Sequence, residues 1–244
     1  MQTRTEKGGK NSEGPIGTGL VIERRFTTIG EDPFDQFDWI EMDVEIRNAD
    51  GSLAHRIDDV RLPSGFSGVA GKVLAQKYLR KAGVPAILRK VKEKGVPTWL
   101  QRSEPDHEKL QSLDPEKRFI GESHGRELFR RLAGTWTYWG WKHGYFEAEA
   151  DARAYFDEMC YLIASQRSAP NSPQWFNTGL HWAYGIEGPA QGHRYIDPST
   201  GELMTSTNAY EHPQPHACFI QSVSDSLVAV SYTHLRAHET QFDL

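Results

Sequence analysis

Residues 168–185 read SAPNSPQWFNTGLHWAYG, and residues 209–222 read AYEHPQPHACFIQS. The first stretch follows the end of a helical pattern and enters a segment rich in proline, asparagine and glycine, residues that break regular structure and favour turns. The second passes Pro213 and Pro215 and predicts a short apolar strand over Ala217–Val223, with Cys218 at its mouth. A thiol at the start of a strand, reached through stiff proline-rich backbone, is a candidate for chemistry on a bound substrate. The competing reading is a small buried hydrophobe, which is how free cysteines usually pack.

Upstream of these stretches the pattern is helical. Glu147–Gln166 opens on acidic residues (Glu147, Glu149, Asp151) that suit the positive end of a helix dipole. Ala152, Tyr155, Phe156, Met159, Cys160 and Ile163 recur on one stripe, which places Cys160 in the core as a structural thiol. Arg126–Trp139 repeats Leu128, Phe129, Leu132, Ala133, Trp136 and Trp139 at helical spacing, and the cluster Trp136, Tyr138, Trp139 and Trp141 reads as packing. A third helix is expected from Val69, Val73, Leu74, Tyr78 and Leu79, with Arg80 and Lys81 in its last turn and Gly83 as its C-cap.

Strands are expected nearer the start. Phe37–Arg47 alternates from Met42 onward, residues 48–51 (NADG) supply a turn, and Ser52–Val60 returns as the partner, closed off by Pro63-Ser64-Gly65. Leu20–Phe26 is a further strand candidate. A second hairpin is expected between His193–Ile196 and Glu202–Thr205, its tip in the DPSTGE turn. Arg89–Lys94 is a basic run read as a solvated face, with nucleotide phosphate as the lesser alternative, and Leu100–Arg118 reads as a loop or broken helix. Residues 1–19 are polar and glycine-rich and read as a disordered leader. The fold class is therefore α+β: a small N-terminal hairpin, then a helical region.

Composition narrows function by exclusion. The 244 residues carry 28 basic and 33 acidic side chains, a net charge of −5 that argues against coating nucleic acid. No apolar run approaches the roughly 20 residues of a membrane span, and no signal-peptide core stands at the start. Two cysteines, Cys160 and Cys218, are too few for a disulfide framework, so a cytoplasmic location is expected. Mean hydropathy is −0.62, low for a well-packed globule of this size and in keeping with a fragment that has exposed connections.

The words NSPQWFNTGLHWAYGI (Asn171–Ile186) and AYEHPQPHACFIQSV (Ala209–Val223) resemble the start of the catalytic domain of class II, adenosylcobalamin-dependent ribonucleotide reductases. The likeness continues through IERRFTT (Ile22–Thr28), EIRNADGS (Glu45–Ser52), VLAQKYLRKAGVPA (Val73–Ala86) and RLAGTWTYWGWKHGYF (Arg131–Phe146), in order from about Val21 to Val228. The resemblance implies an N-terminal α+β domain over 20–166. It also implies that 167–228 lead into the first strand or two of the family's ten-stranded α/β barrel, incomplete here. It implies reduction of ribonucleoside diphosphates by thiyl-radical chemistry that adenosylcobalamin initiates. A thioredoxin-like reductant would be needed, and a homodimer is one assembly it admits. Cys218 matches the first of the redox-active cysteine pair. Ser172 matches the family's hydroxyl residue on the substrate phosphates, and the backbone at Ala217 and Cys218 matches a second substrate contact. The long N-terminal extension resembles the diphosphate-using branch.

The family's radical cysteine in its Asn-x-Cys-x-Glu loop, its second redox cysteine and most cobalamin contacts have no counterpart in this sequence, so the chain as written is expected to lack reductase turnover. Val230–Thr240 (VSYTHLRAHET) resembles one translated frame of a sequencing-library adapter, and residues 229–244 are expected to be an artefactual tail. Two other classes compete. One is a zinc module using His212, His216 and Cys218 with His193 or His181 as fourth ligand, residue types that suit zinc, although Pro213 and Pro215 hold that segment extended. The other is a non-catalytic interaction domain, for which no groove or heptad pattern speaks.

Overall fold

The computed structural model describes residues 19–48 and 50–214. Expectations for residues 1–18 and 215–244, which include the adapter-like tail and the strand at Ala217–Val223, lie outside the described residues.

The alternation from Met42 folds as expected. Strands β1 (Trp39–Arg47) and β2 (Leu53–Pro63) form an antiparallel hairpin, with Trp39 opposite Pro63 and Met42 opposite Val60. Val44, Val60 and Leu62 are buried on its inner face. The register shifts between Met42 and Val44, where Asp59 takes φ 55 and its N–H donates to Asp43 Oδ1. That is a β-bulge, and it increases the local twist. The outer face carries exposed ion pairs, Arg61–Glu41 at 3.1 Å and Arg56–Asp43 at 2.8 Å. Such pairs contribute about 0–1 kcal/mol each, so burial of the inner face holds the hairpin.

Helix α1 (Gly68–Lys77) is capped by Ser67, whose side chain accepts from the Ala70 N–H. It ends earlier than the sequence suggests. Val69 and Val73 are exposed, and Gly71, Leu74 and Ala75 form the buried face. Tyr78 is the C-cap, and Gly83 lies in the turn that leads into β3 (Val84–Pro85). The helix stops because the Arg80 backbone is taken up elsewhere. Its N–H donates to Glu122 Oε2 at 2.7 Å, and its carbonyl accepts from the Glu122 N–H at 2.7 Å.

The stretch expected as a broken helix contains β5 (Ser103–Pro105), paired with β4 (Leu88–Lys90), then α2 (His107–Gln111) and a 3-10 turn at Pro115–Lys117. Strand β6 (Phe119–Ile120) pairs with β3. In the basic run, Lys90 departs from a purely solvated face. Its ammonium donates to the Gln101 carbonyl at 2.7 Å and lies 5.5 Å from the centre of the Trp182 ring.

Helices α3 (Gly125–Lys142) and α4 (Glu149–Ala164) form the frame, joined by residues 143–148. The expected stripes pack against each other and against the hairpin: Leu128, Phe129 and Leu132 from α3 meet Phe156, Cys160 and Ile163 from α4 in one core. Three polar ends of the aromatic cluster have partners. Trp136 donates to Gln174, Tyr138 to Glu93 and Trp141 to the Gly95 carbonyl, as expected of packing residues.

The strand expected at Leu20–Phe26 reduces to one bridge between Leu20 and Phe146. Acidic side chains of α4 capture the N–H groups that a sheet would need. Asp151 accepts from Ile22 N–H at 2.9 Å. Glu158 accepts from the N–H groups of Arg25, Phe26 and Thr27 and from the Thr27 hydroxyl at 2.7 Å. Arg24 pairs with the buried Asp157 at 2.8 Å. The IERRFTT word is thus a strap bound to one helix. Burial alone would push the Glu158 carboxyl up. The Thr27 hydroxyl and the three N–H donors outweigh it and hold the group below its usual range.

Helix α3 begins on an unusual cap. His124 Nδ1 accepts from the Arg126 N–H at 3.1 Å, and Glu127 returns a capping box by accepting from the His124 N–H at 3.0 Å. Burial, and then the guanidiniums of Arg126, Arg61 and Arg130, push the imidazole below its ordinary value. As pH falls through about 6.5 the unfolded chain therefore protonates first. The cap's contribution is complete above that value and is lost as pH falls toward the folded-state value, because imidazolium Nδ1 cannot accept. We expect His124→Asn, which caps without titrating, to remove about 1 kcal/mol of acid sensitivity between pH 7.5 and 5. Urea unfolding of both proteins across that range is the check.

The remaining chain forms two short helices, α5 (Ser172–Asn177) and α6 (Leu180–Tyr184), and a hairpin of β7 (Arg194–Ile196) with β8 (Leu203–Thr205). The hairpin matches expectation, and the two short helices do not appear in the sequence pattern. Among the described residues the four sheets are all two-stranded and no closed barrel is formed. No described helix is long and apolar enough to cross a membrane.

Candidate functional site

The Asn171–Tyr184 segment sits on a buried polar clamp that periodicity gives no sign of. Arg131, on α3, is fully buried. Its Nε and Nη2 donate to the two oxygens of Glu122 at 2.8 and 3.2 Å. Its Nη1 donates to the Thr178 and Trp175 carbonyls at 2.7 and 3.2 Å, and Nη2 also reaches the Tyr78 carbonyl at 3.4 Å. All five guanidinium protons therefore have acceptors. Glu122 also accepts from the Tyr184 hydroxyl at 2.6 Å and from the Arg80 N–H.

This one pair ties together the end of α1, the loop after β6, α3, α5 and α6. Burial opposes the charge of Glu122, and Arg131, Tyr184 and Arg80 more than offset it, so the carboxyl stays below its usual range. Burial also works against the Arg131 charge, and Glu122 reverses that effect and holds the guanidinium above its ordinary value. Tyr184 is pushed well up, first by burial and then by Glu122. Polar groups this deep are stable only when fully bonded, and these are.

On this base stands Ser172. It is exposed, and its hydroxyl lies 3.0 Å from the Tyr78 hydroxyl. The following turn is fixed by Trp175, which is buried, stacks on Tyr78 with centroids 5.3 Å apart, and donates from Nε1 to the Pro170 carbonyl at 2.9 Å. Gly179 lets the chain turn from α5 into α6 at φ 86, directly against Arg131. Trp182 of α6 then donates to the Leu100 carbonyl at 2.9 Å. A hydroxyl on such a rigid support can donate to an anionic group without adding charge.

Among the expected site residues, Ser172 is therefore an accessible hydroxyl on rigid backbone, whereas Ala217, Cys218 and His216 lie outside the described residues. Cys160 is fully buried, as expected, and burial pushes its thiol well above the ordinary range, out of thiolate chemistry. Of the expected zinc ligands, His181, His193 and His212 are described, and His216 and Cys218 are not. Among the described residues no group of three or more His, Cys, Asp or Glu is placed to hold a metal ion. The His212 ring stacks on Tyr195 at 3.5 Å, and its carbonyl is within 3.1 Å of His193 Nδ1. Sequence patterning assigns no role to Glu122 or Arg131. The one available signal was an arginine at the centre of an otherwise apolar helix face.

Residues 41–166 match the family model described as class II vitamin B12-dependent ribonucleotide reductase. The chain is 58% identical over 209 residues to a protein of Bradyrhizobium diazoefficiens named vitamin B12-dependent ribonucleotide reductase, covering 86% of this chain and 17% of that protein. A protein of the same name from Agrobacterium fabrum is also 58% identical over 209 residues, covering 86% of this chain and 16% of that protein. A third, from Rhodopirellula baltica, is 28% identical over 210 residues, again covering 86% of this chain and 17% of that protein. The chain thus spans about a sixth of the length of the curated relatives it matches.

Proposed function

The chain belongs to the class II vitamin B12-dependent ribonucleotide reductase family, and from that premise we propose that it serves as the N-terminal part of an enzyme converting ribonucleoside diphosphates to deoxyribonucleoside diphosphates. The observation that carries this reading is the 58% identity, sustained over 209 residues and 86% of this chain, to a protein named vitamin B12-dependent ribonucleotide reductase. Residues 20–166 act as the N-terminal domain and 167–228 as the entry to the catalytic barrel. The family match ends at Gln166, which supports that division.

In this reading the Ser172 hydroxyl and the backbone at Ala217 and Cys218 hold the substrate. Cys218 is one of two thiols that deliver two electrons and two protons. The ribose C2′–OH bond is replaced by C–H, the hydroxyl leaves as water, and the two thiols close to a disulfide. A thioredoxin-like dithiol reopens that disulfide by exchange.

Adenosylcobalamin, when bound, supplies the radical chemistry that such cofactors bring to a protein. Corrin nitrogens already ligate its cobalt, so its fit turns on an enclosing cavity rather than on a cluster of protein metal ligands. The groove between the Ile29–Asp32 turn and α4 sets Arg24, Glu31, Asp32, Glu149 and Arg153 beside Ile29 and Trp99, an open groove of mixed polarity rather than an enclosed cavity for a corrin ring. No step is therefore assigned to these residues through the cofactor.

Turnover by the full-length enzyme with adenosylcobalamin, a dithiol and cytidine diphosphate tests the reading. Cys218→Ser is expected to reduce sustained product formation to background, and wild-type turnover in that variant would sink it. Reduction of cytidine triphosphate but not the diphosphate would overturn the assignment of substrate.

A further inference from the structure

We propose that Tyr78 is a positioning residue for Ser172, fixing the direction in which the serine hydroxyl donates. The inference rests on the reading of Ser172 as a phosphate contact and adds a requirement to it. A serine hydroxyl has a single proton and two acceptor sites. For Ser172 to donate to a phosphate oxygen, that proton must not be spent on Tyr78, 3.0 Å away. The two hydroxyls must therefore bond with Tyr78 as donor. Phenols are stronger acids than alkyl alcohols, so this is also the favoured polarity. Accepting from Tyr78 in turn polarises the Ser172 O–H and strengthens its outward donation.

The tyrosine is held for this task from three sides. Its N–H donates to the Leu74 carbonyl at 2.9 Å, which seats it as the cap of α1. Its carbonyl accepts from Arg131. Its ring lies against Trp175, and against Phe176 with centroids 5.4 Å apart, both from the same short helix that begins with Ser172. The phenol oxygen and the serine it addresses are thus fixed to one another through backbone, guanidinium and stacked rings. Without the phenol hydroxyl, the serine proton is free to rotate among its staggered positions, only some of which face a bound anion.

The test uses the full-length enzyme with adenosylcobalamin, a dithiol and cytidine diphosphate, comparing Tyr78→Phe, Ser172→Ala and the double variant. Phenylalanine keeps the stacking, and equal melting temperatures confirm that the fold is kept. Tyr78→Phe is expected to raise KM about three- to tenfold, the effect of one hydrogen bond, with kcat within about twofold. In the Ser172→Ala background the same change is expected to have no effect, because there is no hydroxyl left to orient. A Tyr78→Phe effect that persists in that background would mean a merely structural tyrosine and would overturn the inference. So would an unchanged KM in Tyr78→Phe alongside a raised KM in Ser172→Ala. An unchanged KM in Ser172→Ala overturns the phosphate reading itself, and the positioning role with it.

Discussion

Arg131→Met is expected to lower the free energy of unfolding by about 3–5 kcal/mol, the usual cost of removing one partner from a buried ion pair. The guanidinium fills a site with no access to water, and its loss leaves Glu122 charged and enclosed with only Tyr184 and the Arg80 N–H as donors. The Thr178, Trp175 and Tyr78 carbonyls lose their partner as well. Adding Glu122→Gln to this variant removes the stranded charge and keeps the volume, so it should recover about 1–3 kcal/mol, the coupling typical of residues in contact.

The pH dependence gives a sharper reading. In the parent chain Glu122 sits below its usual value, so its stabilisation is complete above about pH 4.3 and is lost as pH falls through the folded-state value. Without Arg131, burial outweighs the remaining Tyr184 and Arg80 donors and pushes the carboxyl up. Its contribution is then present at low pH and is lost as pH rises through the raised value. Urea titrations at several pH values should thus show the slope change sign between parent and variant. A variant that loses less than about 1 kcal/mol and keeps the parent slope would mean that the pair does not carry the segment bearing Ser172.

How much of this was legible in the sequence follows from where each interaction lies along the chain. The hairpin of β1 and β2 and the helices α3 and α4 were legible because their buried faces repeat with the period of their own backbone: Met42, Val44 and Ile46 in one case, Ala152, Phe156, Cys160 and Ile163 in the other. The strand expected at Leu20–Phe26 is a strap instead. Its partner, Glu158, lies more than 130 residues away in sequence, and nothing local marks a carboxylate that will collect backbone donors. Helix α1 ends before the expected Arg80–Lys81 turn for the same reason, since Glu122 competes for the backbone of Arg80. Helices α5 and α6 are too short to establish a period, and they sit where Pro173 and Gly179 suggest only turns. Family resemblance marks Ser172, whereas the clamp beneath it exists only in the folded chain.

Gly179→Ala is the second substitution expected to be severe, at about 2–5 kcal/mol, and it probes the same clamp without altering any charge. Gly179 takes φ 86, where a side chain costs about 1–2 kcal/mol. Space is the larger difficulty. A β-carbon there would lie 2.4 Å from the Arg131 carbonyl oxygen, 2.5 Å from Arg131 Cγ and 2.7 Å from Thr135 Oγ1. These atoms belong to the body of α3 and to a side chain bonded on all sides, so neither yields easily, and overpacking of this kind adds about 1–3 kcal/mol. Gly201 supplies the control. It has φ 73 in the turn between β7 and β8 and nothing within 4 Å of the same β-carbon. Gly201→Ala should therefore show the conformational cost alone, and the difference between the two variants in urea unfolding measures the closeness of α6 to α3. Equal losses would mean that the contact at Arg131 relaxes freely and that the turn into α6 is not what sets the site. A larger loss at Gly179, with the Arg131→Met loss not adding to it in the double variant, would identify one clamp reached from two sides.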